Sequence, residues 1–321
     1  MGEFDLIDRF FKRPARRADL GIGDDCALLS PRPGHQLALS TDMLVEGRHF
    51  LSTIDPARLG HKCLAVNLSD LAACGAEPRA FLLSLSLPRA HEAWLQGFSQ
   101  GLFALADAHG CELVGGDTTQ GPLNISITVI GDVPQGQALL RSGARAGDDI
   151  YVSGTLGDAR LALEAFRGQL SLPEAVFLAC RSRMEAPTPR VALGMALRGL
   201  ASAAADISDG LLGDLDHILA QSGVGAALEV QSCEQLLACR HQLALTPDWV
   251  RTCVLSGGDD YELVFTAPPS CRDAIQRAAQ DCLTPVTRIG SVTATSGMAL
   301  LDAQGHRLTE RFASFDHFSQ D

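Results

Sequence analysis

Carboxylates recur in four short segments of this chain that are rich in glycine, serine or threonine. The segments contain Asp25, Asp42, Asp117 and Asp206, and a fifth carboxylate, Asp70, lies in a predicted helix. Carboxylates that converge on one cleft repel each other unless a cation lies between them. Mg²⁺ prefers such hard oxygen ligands and bridges them to substrate phosphates. The pattern therefore predicts a metal-centred phosphate site.

The same segments also have a simpler interpretation as turns. The chain contains seven Gly-Asp dipeptides, whereas random placement of its glycines and aspartates would give only about 2.5. Gly accepts positive φ and Asp bonds to nearby backbone, so the dipeptide is common in turns. Those that begin at Gly131, Gly147 and Gly157 are typical of plain turns. From the residues alone, separate solvated turns stay open as an alternative to one metal site.

Other catalytic motifs are weak or missing in the sequence. Gly21-x-Gly23 lacks the third glycine of a dinucleotide-binding fingerprint and precedes two aspartates. The chain has no GxSxG nucleophile elbow and no HExxH zinc motif. Its only lysines, Lys12 and Lys62, stand outside any GxxxxGK[ST] loop. If the protein handles phosphates, we expect a divalent metal to neutralise them instead of lysine.

Apolar periodicity and turn signals predict the helices and strands that carry these residues. Helices are predicted at 3–11, 55–73, 91–108, 157–167, 173–183, 189–199 and 270–280, and one more begins near 210. Strands are predicted at 26–30, 36–41, 80–87, 113–114, 124–133, 150–153, 226–230, 262–266, 286–290 and 298–301, and one more ends at 206. Residues 231–250 show no clean period. Because strands and helices mix in both halves, we expect an α/β or α+β fold. A Gly-, Arg- and Ala-rich connection at 134–148 suggests domains at 1–138 and 139–321.

Composition narrows the class of protein. A length of 321 residues with 46% hydrophobic residues suits two domains with real cores. The net charge of −12 argues against a nucleic-acid partner, because an acidic chain repels phosphate backbones. No apolar run reaches the length of a membrane span, and the first residues lack a signal-peptide pattern. Ten scattered cysteines indicate buried thiols in a reducing compartment, so we expect a cytoplasmic protein without a membrane partner.

The order of eight segments resembles the thiamine-monophosphate kinase family. The segments are GIGDDCALL (21–29), STDMLVEGRHF (40–50), KCLAVNLSDLAACGAEP (62–78), GGDTTQGPL (115–123), RSGARAGDDIYVSGTLGD (141–158), DISDGLLGDL (206–215), SGGDDYEL (256–263) and FDHF (315–318). The resemblance implies the two-domain aminoimidazole-ribonucleotide-synthetase-like fold, with an N-terminal sheet that pairs across a homodimer and a C-terminal α/β domain. It also implies ATP and thiamine phosphate as substrates, thiamine diphosphate and ADP as products, and several Mg²⁺ ions.

The resemblance assigns roles to individual positions. Residues similar to the family's metal ligands are Asp25, Ser40, Thr41, Asp42, Asp70, Asp117, Asp206 and Asp209, of which Asp42, Asp70 and Asp117 are expected to be central to catalysis. Gly116, Asp117, Arg141 and Ser208 resemble ATP contacts, and His49, Asp259 and Phe312 resemble contacts to thiamine phosphate. Asp259 replaces a common Glu, and Phe312 replaces a common Trp. Both departures bear on substrate contacts and leave the implied reaction unchanged.

Two alternatives differ from this interpretation in function. One is another ATP-dependent synthetase of the same superfamily. The selenophosphate synthetase relative needs an early Cys-and-Lys segment, which is missing before Asp24, and the hydrogenase-maturation relative carries a C-terminal cysteine, whereas this chain ends in Phe-Ser-Gln-Asp. The other alternative is a non-catalytic protein that binds a metal or nucleotide without consuming it. Formation of thiamine diphosphate from Mg–ATP and thiamine phosphate separates all three.

Overall fold

The computed structural model describes residues 2–308, which form two compact units. The first unit comprises the described residues up to Leu71 together with Ala76–Gly136, and the second comprises Ala72–Gly75 together with the residues from Gln137 onward. Each unit contains one sheet and several helices, which confirms the predicted α/β class. The functional division into 1–138 and 139–321 stays a prediction. Within residues 2–308, no helix has both the length and the apolar character needed to cross a bilayer.

The sheet of the first unit has the strand order β1-β4-β2-β3. Its strands are β1 (His35–Val45), β2 (Glu77–Leu87), β3 (Glu112–Gln120) and β4 (Asn124–Pro134), and its helices are α1 (Glu3–Leu6, continued by a π-helical turn at Ile7–Phe11), α2 (Pro56–Ala73) and α3 (Glu92–Ala108). β4 is antiparallel to both β1 and β2, whereas β3 is parallel to β2. β1 and β3 are therefore the edges of this sheet.

Helices α2 and α3 approach each other closely at two glycines. A Cβ on Gly60 would lie 2.0 Å from the carbonyl oxygen of Phe98, and one on Gly101 would lie 1.8 Å from that of Ala57. Neither position can carry a larger side chain without separating the helices. The close contact buries Leu64, Leu68 and Leu102 completely in the core of the unit, together with apolar residues of β2 and β4.

Three predicted strands of the first unit differ from the structure. The strand expected at 26–30 is not formed, and Leu28 makes only an isolated bridge to Leu20. β1 and β3 extend beyond their predicted ends, so that Asp42 and Asp117 lie within strands. Polar residues are tolerated there because an edge strand has only one neighbouring strand and is partly exposed.

The second unit has a mixed six-stranded sheet with the order β10-β7-β9-β5-β8-β6. Its strands are β5 (Asp149–Ser153), β6 (Ala203–Ile207), β7 (Gly225–Glu229), β8 (Glu262–Ala267), β9 (Val286–Thr293) and β10 (Gly297–Leu301), and its helices are α4 (Asp158–Phe166), α5 (Glu174–Glu185), α6 (Val191–Ala196), α7 (Leu211–Ser222), α8 (Val230–Glu234), α9 (Pro247–Ser256) and α10 (Arg272–Asp281). Every residue of β5, β6 and β8 is buried, which fits their short apolar sequences.

The segment without a clean period contains two helices that the periodicity did not predict, α8 and the first part of α9. Helix α9 begins with standard signals: the Thr246 hydroxyl accepts a hydrogen bond from the Trp249 backbone, and Pro247 occupies the first turn. Its length of ten residues gives too few apolar repeats to separate a helix from a loop by periodicity alone.

Candidate active site

Polar contacts between β1 and α2 hold the first group of predicted site residues in the first unit. Ser40 and Asp42 alternate along β1 with more exposed residues, so both side chains lie on the same face of the strand. The Ser40 hydroxyl donates a hydrogen bond to the Asp70 carboxylate on α2. The Asp42 backbone N–H donates to Asn67 Oδ1 at 3.1 Å, and the Asn67 amide donates to the Cys63 carbonyl at 2.9 Å. One turn of α2 thus places Asp70 beside β1.

Gly116 has a structural reason to be glycine. Its φ of 147° is in a region that L-residues rarely occupy, and a Cβ would lie 1.9 Å from the carbonyl oxygen of Leu83 on β2. The register between β2 and β3 shifts between Phe81 and Leu82, so the backbone of β3 is irregular just before this glycine. Gly116 therefore sets the path of the chain into the exposed Asp117.

Three other predicted residues of the first unit have separate surroundings. Asp25 is exposed, and its backbone N–H donates to Asp24 Oδ1 at 3.0 Å. The Thr41 hydroxyl donates to the Ile127 carbonyl at 3.0 Å. Its side chain therefore lies on the face of β1 opposite to Ser40 and Asp42. His49 Nδ1 accepts a hydrogen bond from the Val45 N–H at 3.0 Å, which fixes the ring and leaves the proton of the neutral imidazole on Nε2.

The predicted carboxylates do not form a tight cage in the described structure. Within residues 2–308, the one group of three His, Cys, Asp or Glu side chains whose ligand atoms lie within 4.8 Å of one another consists of Asp158, Cys180 and Cys239. The donor set around Ser40, Asp42 and Asp70 nevertheless suits Mg²⁺ chemically, since it offers only carboxylate and hydroxyl oxygens on half-buried side chains. A cation retaining several waters needs no closed protein cage.

In the second unit, the structure brings the DISDG and SGGDD segments together. The Asp259 N–H donates to the Ser208 carbonyl at 2.7 Å, and the Tyr261 N–H donates to the Ile207 carbonyl at 2.8 Å. Asp259 and Tyr261 have φ angles of 62° and 54°, which is strained backbone for these residue types. The two loops are thus bonded side by side at the ends of β6 and β8, and Ser208, Asp209 and Asp259 lie at one place.

Asp214, which the sequence analysis did not identify, contacts two of the predicted site residues. Its carboxylate accepts hydrogen bonds from the backbone N–H groups of Ser208 and Asp209 at 3.0 and 3.1 Å. Burial, followed by the nearby charge of Asp209, raises the pKa of Asp214 to about 7, and the charge of Arg141 opposes this rise. Asp209, a predicted metal ligand, and Arg141, a predicted ATP contact, therefore both act on the Asp214 carboxylate. The available signal was an aspartate in the first turn of a helix that follows a glycine.

Two further acidic residues of the SGGDDYEL segment hold the fold together. The Asp260 carboxylate accepts from the Gly157 N–H at 3.0 and 3.2 Å, and burial raises its pKa well above the usual value. Glu262 is fully buried and accepts a two-pronged hydrogen bond from Arg190 at 2.6 Å and another bond from Arg183 at 2.8 Å. Asp260 and Glu262 of this motif thus stabilise the fold, whereas Asp259 is a predicted substrate contact. Phe312 lies outside the described residues.

Comparison with known proteins identifies the family of this chain. Residues 23–133 match the family described as AIR synthase related protein, N-terminal domain, and residues 145–302 match AIR synthase related protein, C-terminal domain. A thiamine-monophosphate kinase of Salmonella typhimurium is 46% identical over 99% of this chain and 98% of that protein, and one of Bacillus subtilis is 34% identical over 99% and 100%. The chain belongs to the thiamine-monophosphate kinase family.

Solved structures agree with this family. The crystal structure of thiamine-monophosphate kinase from Stenotrophomonas maltophilia K279a has a TM-score of 0.83 and 48% identity, covering 88% of this chain and 91% of that chain. A structure described as AaThiL complexed with AMPPCP and TMP has a TM-score of 0.74 and 30% identity, covering 90% and 89%. The hydrogenase maturation protein HypE has a TM-score of 0.75 at 22% identity over 98% of both chains, which shows a shared fold alone.

Proposed function

We propose that this chain transfers the γ-phosphoryl group of ATP to thiamine phosphate, giving thiamine diphosphate and ADP. The observation that carries this proposal is the full-length likeness to thiamine-monophosphate kinases, one of which was solved with AMPPCP and TMP. AMPPCP is an ATP analogue whose terminal phosphoryl group cannot be transferred. The two ligands of that relative correspond to the donor and the acceptor of this reaction.

We further propose that Mg²⁺ ions are held by carboxylate and hydroxyl oxygens that the sequence singled out: Asp25, Ser40, Asp42, Asp70, Asp117, Asp206 and Asp209. The Thr41 hydroxyl lies on the opposite face of β1, where it donates to the Ile127 carbonyl, and so is not one of these donors. The oxygen-only chemistry of these donors supports the assignment. When bound, Mg²⁺ supplies positive charge that offsets the repulsion between two phosphate groups. The scarcity of lysine in the chain leaves this neutralisation to metal ions and arginine.

The protein's own groups in the first unit act by positioning. The hydrogen bond from Ser40 fixes one oxygen of Asp70, and Asn67 fixes the backbone at Asp42. These contacts hold two of the proposed catalytic carboxylates in place before substrates bind, which lowers the cost of ordering them. Gly116 does the same for the backbone that leads to the third, Asp117.

No general base is required for this chemistry. A phosphate monoester has its second pKa near about 6, so the acceptor oxygen is already mostly ionised at neutral pH. Phosphoryl transfer depends mainly on alignment and charge stabilisation, and in-line attack follows once both anions are held. This fits a site built from acidic residues without a His-based dyad.

The remaining assignments concern the two substrates. Gly116, Asp117, Arg141 and Ser208 are proposed to contact ATP, and His49, Asp259 and Phe312 to contact thiamine phosphate. Arg141 offers a guanidinium fork that suits a polyphosphate. The fixed ring of His49 and the strained backbone of Asp259 support their assignment, because rigid side chains and strained loops are typical of binding sites.

A homodimer is the proposed assembly. The outer face of β1 exposes a row of apolar side chains, with exposed fractions of 41% for Leu37, 64% for Leu39, 55% for Met43 and 36% for Val45. Such a row on the edge strand of a sheet favours burial against another protein surface. We also propose a cytoplasmic location, which the ten free cysteines support, because thiols stay reduced there.

A product assay tests the proposed reaction. The purified chain is incubated with Mg–ATP and either thiamine phosphate or thiamine, and thiamine esters are separated by chromatography. We expect thiamine diphosphate from thiamine phosphate, no phosphorylation of thiamine, and loss of the product when EDTA is added. ATP binding without any product would support a non-catalytic nucleotide-binding protein. ATP consumption that ignores thiamine phosphate would indicate another synthetase of the superfamily.

A further inference from the structure

Three buried side chains from separate elements meet in the second unit, and none of them is among the residues proposed for catalysis or substrate binding. Asp158 is the first residue of α4, Cys180 lies within α5, and Cys239 lies in the turn after α8. Their exposed fractions are 3%, 1% and 5%. One carboxylate oxygen and both Sγ atoms lie within 4.8 Å of one another. We refer to these three residues as the Asp-Cys-Cys cluster.

The carboxylate of this cluster is buried with only weak polar contacts. Among residues 2–308 neither oxygen of Asp158 accepts a hydrogen bond of ordinary geometry, although the Cys239 thiol and N–H and the Thr155 hydroxyl lie close enough to lower its pKa. Removing a carboxylate from water without compensation costs several kcal/mol, so buried charges are normally paired or bound to a metal. Burial accordingly raises the pKa of Asp158. A buried carboxylate with only these weak contacts, facing two thiols, indicates room for a further ligand.

The spacing of the two sulfur atoms indicates what that ligand is. Cys180 Sγ and Cys239 Sγ are 3.8 Å apart. Two thiolates on one tetrahedral Zn²⁺ ion stand about 3.8 Å apart, because each Zn–S bond is about 2.3 Å long. A disulfide would instead require an S–S distance of about 2.05 Å. The sulfur atoms therefore already have the separation of two zinc ligands.

The surrounding charges balance such a site. Two thiolates, one carboxylate and a divalent cation leave one net negative charge. Next to the cluster, Arg183 and Arg190 both bind the single carboxylate of Glu262 and leave one net positive charge. The charge of Arg183 acts directly on Asp158. This positive charge opposes the net negative charge of the cluster when the cation is bound.

We propose that Asp158, Cys180 and Cys239 bind one Zn²⁺ ion and that this ion ties α4, α5 and the turn after α8 together. Thiolates select a borderline-soft cation over the hard Mg²⁺ of the proposed phosphate site. The protein supplies three of the four ligands, and water completes the coordination. Periodicity and motif searches miss the cluster because its residues are 22 and 59 positions apart and form no CxxC pair.

Cobalt substitution tests the proposal independently of activity. The reduced full-length chain is titrated with Co²⁺ alone, which replaces Zn²⁺ and reports thiolate ligands by a near-ultraviolet charge-transfer band. We expect one equivalent of Co²⁺ per chain to produce the band, together with the intense visible bands of tetrahedral cobalt, and Zn²⁺ to abolish both. Co²⁺ bound only by the acidic residues of the phosphate site would lack the charge-transfer band, so the two sites are distinguished.

Matched variants assign the ligands. Cys180→Ser and Cys239→Ser should each lose the charge-transfer band or reduce it by about half, whereas Cys233→Ser, at a buried cysteine outside the cluster, should keep it. Asp158→Asn should keep a band and bind Co²⁺ at least about tenfold more weakly, since changes around ligands already cost about 10–100-fold in affinity. Circular dichroism of each variant confirms folding. A wild-type chain without the band, or a Cys180→Ser/Cys239→Ser chain that retains it, would overturn the proposal.

Discussion

At the scale of single residues, the hydrogen bond from Ser40 to Asp70 is the contact that links strand and helix in the proposed catalytic centre. A carboxylate held in this way combines a fixed position with a full negative charge. The Ser40 hydroxyl is a neutral donor, so this contact positions the carboxylate without a countercharge of its own. The charge at position 70, and not only its shape, is therefore what the reaction should need.

Replacing Asp70 with Asn keeps the shape and removes the charge. We expect Asp70→Asn to lower kcat by about 10²-fold or more, because electrostatic groups aimed at the reacting charge have effects of this size. The matched control is Asp107→Asn on α3, where the carboxylate pairs with Arg13 at the surface and contributes little. Steady-state kinetics and thermal melts of both variants are the measurement. Wild-type turnover by a folded Asp70→Asn chain would contradict the role.

At the same scale, the two substrates should depend differently on Arg141. We expect Arg141→Ala to weaken ATP binding by about tenfold, the cost of one charge-assisted contact, and to change thiamine phosphate binding much less. Arg145→Ala, an exposed arginine in the same connection, should leave both affinities unchanged. Calorimetric titration of each ligand measures the difference. Equal losses for both ligands would remove Arg141 from the ATP contacts.

At the scale of elements, β3 depends on Gly116 for its path. Gly116→Ala places a Cβ against the Leu83 carbonyl at a φ of 147°, so we expect it to destabilise the fold by a few kcal/mol. Gly136→Ala also has a positive φ, 75°, but meets no atom within 4 Å, and should cost only about 1–2 kcal/mol. Urea unfolding measures both changes. Equal costs would show that backbone strain, and not the contact with β2, explains the glycine.

The sheet of the second unit carries an acid-sensitive ion cluster at β5. Hydrogen bonds from Arg272 and then Arg288 lower the pKa of Asp149 to about 2, below the usual 3.8 of an aspartate. A lowered pKa stabilises the fold above 3.8, and this contribution is lost as the pH falls from 3.8 to 2. Because the arginines are partly exposed, we expect a contribution of only about 1 kcal/mol.

Asp149→Asn should therefore destabilise the chain by about 1 kcal/mol at pH 7 and flatten the loss of stability below about pH 4. Urea midpoints between pH 7 and 3 measure this change. Asp281→Asn, on the neighbouring α10, is the control and should follow the wild-type pH profile. A variant whose midpoint falls with pH as steeply as the wild type would contradict the prediction.

The elements also show what a sequence can predict. Long apolar patterns gave α2, α3 and the core strands, because burial of one face imposes a period. They failed at Asp42 and Asp117, which continue edge strands although they are polar. They also failed at α9, because this helix has too few turns to show an apolar period and its start is marked only by capping residues. Contacts between distant segments, such as Asp259 with Ser208 or Cys180 with Cys239, depend on tertiary structure and carry no local signal.

At the scale of the whole molecule, the apolar outer face of β1 bears on assembly. Leu39→Asp places a charge in the middle of this face, so we expect it to shift the chain from dimer to monomer in sedimentation velocity. The control is Leu283→Asp, which alters a leucine that is 90% exposed in the second unit. A monomeric wild type, or a Leu39→Asp chain that sediments as the wild type does, would contradict the proposed homodimer.

The central claim for the whole molecule is that one phosphoryl group passes from ATP to the phosphate of thiamine phosphate. The most direct measurement follows ATP labelled with ¹⁸O on its γ-phosphoryl oxygens, using ³¹P NMR of the products. We expect ADP and a thiamine diphosphate whose terminal phosphoryl group carries the three labelled non-bridging oxygens. Labelled inorganic phosphate as the main product, or label that never reaches thiamine diphosphate, would contradict it.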